Sequence, residues 1–370
     1  MTKVTSRPPT PTRAIAFATA QGTARFRDRF AGRFAPDFFR ALADGLVVSS
    51  LGLGTYLGEC DPEDDARYTA TIRQAIEHGI NIIDSSINYR CQRSEHAVGR
   101  ALQAVSSGGV AAREEVVVCT KGGYVPLEGA PPSTREEYQT YLRRTFFDAG
   151  IMAPDDVVAG GHCLAPSFLA HQIGQSRANL GVQVIDLYYL HNPEQQLAVV
   201  PRDEFTRRLR SAFALLEERV SRGEIARYGC ATWGAFRVAP ESRDYLSLES
   251  LVALAREVGG DGHHFAAVQL PVNLAMTEAV RTPTQPLEGH LVPLLEAASE
   301  LGIAVITSAA LLQAKLTSGL PDVVREAFPA LRTDAQRAIA FVRALPGVTT
   351  ALVGMKRVAH LQDNLGAASA

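Results

Sequence analysis

Four side chains in this 370-residue sequence are of types that move protons, and each closes or follows a short apolar run. Ile80, Asn81, Ile82 and Ile83 lead into Asp84, and Tyr89 comes shortly after; the run from Val116 ends at Lys121, and the run from Asp186 to Leu190 ends at His191. Taken singly, each has an ordinary explanation: a turn or cap residue, a loop aromatic, a solvated amine, a loop histidine. Together they compose a proton-transfer unit. A phenol with an ordinary pKa near ~10 is a weak acid at neutral pH, but an ammonium beside it favours the phenolate and eases proton donation. Lys121 would supply that ammonium, Asp84 would hold it, and His191 could hydrogen-bond a carbonyl oxygen beside Tyr89. The same lysine could instead act as an imine-forming nucleophile.

These groups converge only if the runs that carry them are parallel strands ending on one face. Eight strand candidates alternate with helix-like stretches from about Val48 onward: Ser50 to Gly54, Asn81 to Ser85, Val116 to Lys121, Ile185 to His191, Ala226 to Cys230, Ala266 to Leu270, Ala304 to Ser308 and Thr349 to Val353. Their connections are too long for hairpins, and Asp61, Pro62 and Gly79 supply the cap, first-turn proline and stop of the first helix. The pattern predicts an α/β fold, a (βα)8 TIM barrel over residues 47–370 with its active face at the carboxyl ends of the strands. A doubly wound sheet is the alternative, weakened by the absence of GxGxxG after the first strand.

Two segments stand apart from the repeat. Residues 1–46 read as an N-terminal extension, and over its first forty residues Lys3, Arg7, Arg13, Arg25, Arg27, Arg29, Arg33 and Arg40 outnumber Asp28 and Asp37. Phe26, Phe30, Phe34 and Phe38 recur at helical spacing, an aromatic stripe expected to dock on the main body while the arginines stay solvated; Pro36 limits the length of any helix there. Residues of about 124–166, rich in proline and glycine, form an insert after the third strand, far longer than an ordinary βα connection. The insert is expected to cover the substrate as an ordered loop that need not carry secondary structure of its own.

Composition narrows the function classes. Basic and acidic residues balance to a net charge of -2, which gives no reason to expect a nucleic-acid partner. No apolar run approaches the ~18 to 20 residues of a membrane span. No apolar stretch with a small-residue cleavage site marks a secretory leader. The five cysteines, Cys60, Cys91, Cys119, Cys163 and Cys230, lack the CxxC spacing of zinc and redox motifs, as expected of a cytoplasmic protein. His162, Cys163 and His171 match no standard metal-site spacing, so no metal is expected, and His263 and His264 are expected to face solvent.

The motifs GLGTYLG at Gly52 to Gly58, GINIIDSSINY at Gly79 to Tyr89, SEHAVGRAL at Ser94 to Leu102, CTKGG at Cys119 to Gly123, IDLYYLHNP at Ile185 to Pro193, VQLPVNL at Val268 to Leu274 and ALVGMKRVAHLQDNL at Ala351 to Leu365 resemble the aldo-keto reductase family, in the family's order. The resemblance implies an NAD(P)H-dependent oxidoreductase that reduces an aldehyde or ketone, or oxidises the corresponding alcohol, by hydride transfer with a tyrosine proton donor. Asp84, Tyr89, Lys121 and His191 fall on its catalytic tetrad. For the cofactor, NADP with NAD possible, Gly54, Thr55 and Asp84 match the nicotinamide surroundings and Gln269 the carboxamide holder. Gly354, Lys356, His360 and Asn364 match the adenosine clasp, with Lys356 placed to meet a 2'-phosphate. Tyr56 and Trp233 are the expected substrate-pocket residues. The chain departs from the family at Ala231 and Thr232, where Ser-Asn is common, so that one carboxamide contact is lost or made by the Thr232 hydroxyl, and at Thr307 and Ser308, where a stacking aromatic is missing though Ser308 is still expected to meet the cofactor. Leu311, Leu312 and Lys315 resemble the pyrophosphate loop without its proline and glycine. A cofactor-binding regulatory or sensor subunit on the same fold, as potassium-channel β subunits are in part, is the alternative reading.

Overall fold

The structure, a computed structural model, describes residues 17–368. Lys3, Arg7 and Arg13 of the basic arm lie outside these residues. Eight parallel strands close into a barrel in sequence order: β1 (Leu51–Gly54), β2 (Ile82–Asp84), β3 (Val117–Gly122), β4 (Leu187–His191), β5 (Tyr228–Ala231), β6 (Phe265–Pro271), β7 (Ala304–Ser308) and β8 (Val348–Gly354). Helices pack outside, so the strands are buried on both faces and read as continuous apolar runs rather than alternating ones. Ile82, Val117, Leu187, Tyr189, Ala267, Ile306 and Leu352 fill the barrel, while Ile83, Val118, Leu190 and Val268 face the helical layer. Each expected strand is present, with its ends within two residues of those expected. The first helix, Pro62–Glu77, is capped by Asp61 and stops at Gly79, whose φ is 103°.

Register brings the polar strand ends to one level. Gly54 lies beside both Asp84 and Gly354, Lys121 beside Tyr189, His191 beside Ala231, and Ala231 beside Gln269. Among the described residues, no helix is long and apolar enough to cross a membrane.

The segment before β1 differs from a helical stripe. Only Phe26 belongs to the helix, Ala20–Arg29; the chain then turns through Gly32 (φ 76°) and Pro36 into an antiparallel hairpin, Phe39–Ala41 with Val47–Ser49. The phenylalanines still meet, because the turn folds them together: Phe34 stacks on Phe38 at 4.0 Å and Phe26 lies 5.1 Å from Phe30. The hairpin plugs the amino end of the barrel, with Leu42, Leu46 and Val48 packed under Ile82, Val117 and Leu187. Buried hydrogen bonds fasten it there: Asn81 exchanges bonds with Ser49, and the Ala18 amide donates to Asp186.

The insert also departs from expectation, since it carries its own structure. Arg135–Leu142 is a helix capped by Thr134, continued by a wider turn at Arg143–Phe147. Val125, Leu142, Phe146, Met152, Cys163 and Phe168 make a separate small core. Such a core lets a long connection hold one shape without lying against the barrel along its length.

Candidate active site

Asp84 and Lys121 form a buried ion pair at the carboxyl end of the barrel. Lys121 is wholly enclosed, with Nζ 2.5 Å from Asp84 Oδ1 and donating to the Ser85 carbonyl at 2.7 Å. Burial pulls the ammonium down, but the Asp84 carboxylate and Tyr89 outweigh it and hold the group above its ordinary value. A lysine held charged is a poor nucleophile, which counts against the imine reading. The other Asp84 oxygen accepts from Gln269 Nε2 at 2.9 Å. Lys121 Nζ lies 4.9 Å from the centre of the Tyr89 ring. Burial raises the Tyr89 phenol above its ordinary value, with Lys121 pulling the other way, so the net shift is opposite to the one the sequence suggested. Tyr89 is partly exposed at the cleft edge, and the exposed Tyr56 ring meets it edge-on at 5.0 Å.

His191 completes the group. Its ring stands 5.7 Å from that of Tyr89, and its Nδ1 lies 3.2 Å from Ser86 Oγ, leaving Nε2 without a partner among the described residues. Burial, then Lys121 and His162, keep the imidazole well below its ordinary value, so it is neutral at neutral pH.

Several groups that the sequence reading passed over hold this arrangement. His162, buried in the returning arm of the insert, donates from Nε2 to the His191 carbonyl at 2.8 Å, and its Nδ1 accepts from Gln196 at 2.8 Å. Both of its ring nitrogens are thus taken by hydrogen bonds, and Cys163 beside it packs into the insert core. Gly123 makes the approach possible: with φ 133° it leaves β3 close against His162 and His191, where a Cβ would lie 3.1 Å from His162 Nε2. Tyr124 packs edge-on to both histidines. Glu194 accepts from the Trp233 amide at 2.8 Å, tying the loop after β4 to that after β5, and burial pushes its carboxyl up to about 7. No sequence spacing signals these contacts, although a lone histidine inside a Pro/Gly-rich insert is an available hint. His264 is partly exposed, as expected, and also pairs with Glu217 at 2.7 Å.

The remaining expected residues lie at or beyond the carboxyl ends of the strands. Thr55 spends its hydroxyl on the Asp84 carbonyl and Ser85. Thr232 Oγ1, by contrast, is buried with no hydrogen-bond partner among the described residues, an orphan beside Gln269 of the kind a carboxamide would satisfy. Trp233 is half-exposed at the rim. After Ser308 the chain takes positive φ at Ala309 and again at Leu312, Gln313 and Ala314, the conformations for which the family's missing glycine would be the cheaper residue. Leu311 packs partly against the core. Across the cleft, Gly354 and His360 are exposed and Asn364 is buried. Lys356 is not free: its Nζ lies 2.7 Å from Asp64 Oδ2, whose carboxyl, despite burial, is held well below the usual range by Lys356, the Glu59 amide and Arg67.

An eight-stranded parallel barrel with a buried carboxylate-lysine pair, a tyrosine and a histidine at its carboxyl end defines a class of catalytic barrel. The aldo/keto reductase family model matches residues 50–319, and the chain belongs to that family. It is 28% identical over 212 residues to an NADH-specific methylglyoxal reductase of Escherichia coli K12, covering 56% of this chain and 54% of that protein. To a D-threo-aldose 1-dehydrogenase of a Pseudomonas species it is 30% identical over 193 residues, 51% of each. The match thus spans about half the length of these curated relatives. Among solved structures, an aldo/keto reductase from Klebsiella pneumoniae in complex with NADP and acetate superposes with a TM-score of 0.60 at 20% identity, over 90% of each chain, a likeness of fold.

Proposed function

We propose that this chain is a cytoplasmic NAD(P)H-dependent carbonyl reductase in which Tyr89 is the proton donor. The observation that carries this reading is the buried Lys121–Asp84 pair set against Tyr89, because it puts a charged ammonium beside the phenol that would give up its proton. His191 is neutral and Lys121 is held charged, so neither gives up a proton readily at neutral pH. Tyr89 carries its proton in the resting site, and Lys121 stabilises the phenolate left when that proton moves to a developing alkoxide. Asp84 keeps Lys121 in place and offsets its burial. Ser86 orients the His191 ring through Nδ1, and Nε2 is the ring nitrogen left to meet the carbonyl oxygen. Tyr56 and Trp233 would line the substrate entrance, since both are exposed aromatics at the rim.

The residues fit a nicotinamide dinucleotide. Thr232 and Gln269 would hold its carboxamide, Gly54 and Thr55 would border the ring, Ser308 and Leu311 would cover the pyrophosphate, and Gly354, Lys356, His360 and Asn364 would receive the adenosine end. When bound, that group supplies the hydride. NADP complexes of the structural neighbour and the NADH specificity of the bacterial relative support the cofactor class. The test is turnover of an aldehyde, ketone and sugar panel followed by cofactor absorbance, with Tyr89→Phe as control. Loss of ~10² to 10⁴-fold in turnover with cofactor affinity unchanged is expected of a general acid; a Tyr89→Phe protein with full turnover would assign the proton elsewhere.

A further inference from the structure

Cys60 and Cys91 are partners that no spacing motif announces. Their sulfurs lie 3.5 Å apart, one in the loop after β1 and the other two residues beyond Tyr89, and the two form the only cysteine–cysteine contact among the described residues. Cys60 is partly exposed and Cys91 is buried. Arg90 clamps the two segments together: its Nε donates to the Glu59 carbonyl at 2.8 Å and its Nη2 to the Asp61 carbonyl at 3.4 Å, bracketing Cys60, while Asp65 anchors the guanidinium at 2.7 Å. Arg90, Cys91 and Gln92 all hold left-handed φ, at 50°, 52° and 68°, a run that non-glycine residues adopt only when their surroundings enforce it.

We propose that Cys60 and Cys91 are a modification site, a dithiol that a hydroperoxide closes to a disulfide joining the loop after β1 to the segment carrying Tyr89. Cys60, the thiol within reach of solvent, attacks a peroxide oxygen as its thiolate; the O–O bond breaks, sulfur is oxidised to sulfenic acid, and water leaves with the thiol proton. Cys91 then attacks that sulfur, its own proton departing with the displaced hydroxide as a second water. Two thiols and one hydrogen peroxide thus give one disulfide and two waters. Burial and the Cys60 contact push the Cys91 thiol up to about 12, so it waits protonated until the sulfenic acid forms beside it. Closing a 3.5 Å contact to a bond of ~2.04 Å draws the segments together by ~1.5 Å, a displacement that the enforced turn at 90–92 passes to Tyr89 and that the other loop passes to Tyr56. The consequence for catalysis rests on the carbonyl-reductase reading; the disulfide itself does not.

The experiment titrates the reduced full chain with hydrogen peroxide, then maps peptides by mass spectrometry without reduction. A dithiothreitol-reversible Cys60–Cys91 cross-link at about one equivalent of peroxide is expected, with Cys91→Ala instead yielding a dimedone-reactive Cys60. Carbonyl turnover should fall at least ~5-fold on oxidation, recover with dithiothreitol, and stay constant in Cys60→Ser. Oxidation of Cys60 to sulfinic acid without cross-linking overturns the site, and a quantitative cross-link with unchanged turnover overturns its coupling to Tyr89. If reduced protein turns over no carbonyl, the functional reading fails, while the peptide map still reads the disulfide.

Discussion

Replacing Asp64 with Asn should shift cofactor preference toward NADPH. Asp64 Oδ2 lies 2.7 Å from Lys356 Nζ and accepts the Glu59 amide at 2.8 Å, and Oδ1 meets Arg67 at 3.0 Å. Asn keeps the volume and an oxygen for the Glu59 amide while removing the charge. A 2'-phosphate seated on Lys356 would come within about 5 Å of the carboxylate, where two unit negative charges repel by about 0.8 kcal/mol in bulk water and about 3 kcal/mol at an effective dielectric of 20. The Lys356 side chain is 28% exposed, and its immediate neighbours alone seal Asp64 from water, so the repulsion falls between these limits and salt reduces it further. A relief of about 1.4 kcal/mol is a gain of about tenfold in NADPH affinity. NADH, with a hydroxyl at that position, should change by less than about twofold. Fluorescence titration of wild type and Asp64→Asn with both cofactors, at low and high salt, measures this directly. An unchanged NADPH dissociation constant, or an equal gain for NADH, would refute the placement of the 2'-phosphate on Lys356.

Acidification should test the strut beneath His191. Burial holds the His162 imidazole down at about 4, against an ordinary value of 6.5 in the unfolded chain, so stability is full above pH 6.5 and is lost as pH falls toward 4. Between pH 7 and 5 that linkage is worth about 2 kcal/mol, and His162→Asn should remove it, as denaturant unfolding at the two pH values would reveal; equal acid sensitivity in both proteins would contradict it. Excising residues 130–157 of the insert while keeping Tyr124 and His162 should leave the cofactor dissociation constant within a few-fold and raise KM or broaden the accepted carbonyls. Lost cofactor binding with an unchanged substrate profile would make the insert a cofactor clamp instead.

The barrel was legible because each strand is a short, largely apolar run buried on both faces and set between helix-like stretches, and the tetrad candidates because barrel geometry singles out the polar residue at each strand end. What escaped the sequence depends on contacts between distant segments. Nothing local to Lys356 indicates that Asp64 has already taken its charge, nor that Cys60 and Cys91 meet. Helical spacing of Phe26, Phe30, Phe34 and Phe38 fits a continuous helix and a folded-back hairpin equally well, since both gather aromatics on one side. The core of the insert was within reach: Leu142, Phe146 and Met152 are apolar residues in a segment otherwise full of turn formers, and a connection of that length must bury something to stay ordered.

The plug at the amino end of the barrel imposes an order on biosynthesis. Arg40 Nη1 donates to the Val348 carbonyl at 2.7 Å, Arg343 Nε to Ser50 Oγ at 3.0 Å, and the Arg343 guanidinium lies 5.6 Å from the Phe38 ring centre. The plug is therefore completed by partners that are synthesised about 300 residues after it. At ~5 to 20 residues per second, its aromatic cluster stays without these partners for roughly 15 to 60 s, long enough for nascent chains on one message to associate. Slower initiation or a chaperone that binds the emerging aromatic segment should raise the soluble yield of this protein more than any stabilisation of the finished barrel.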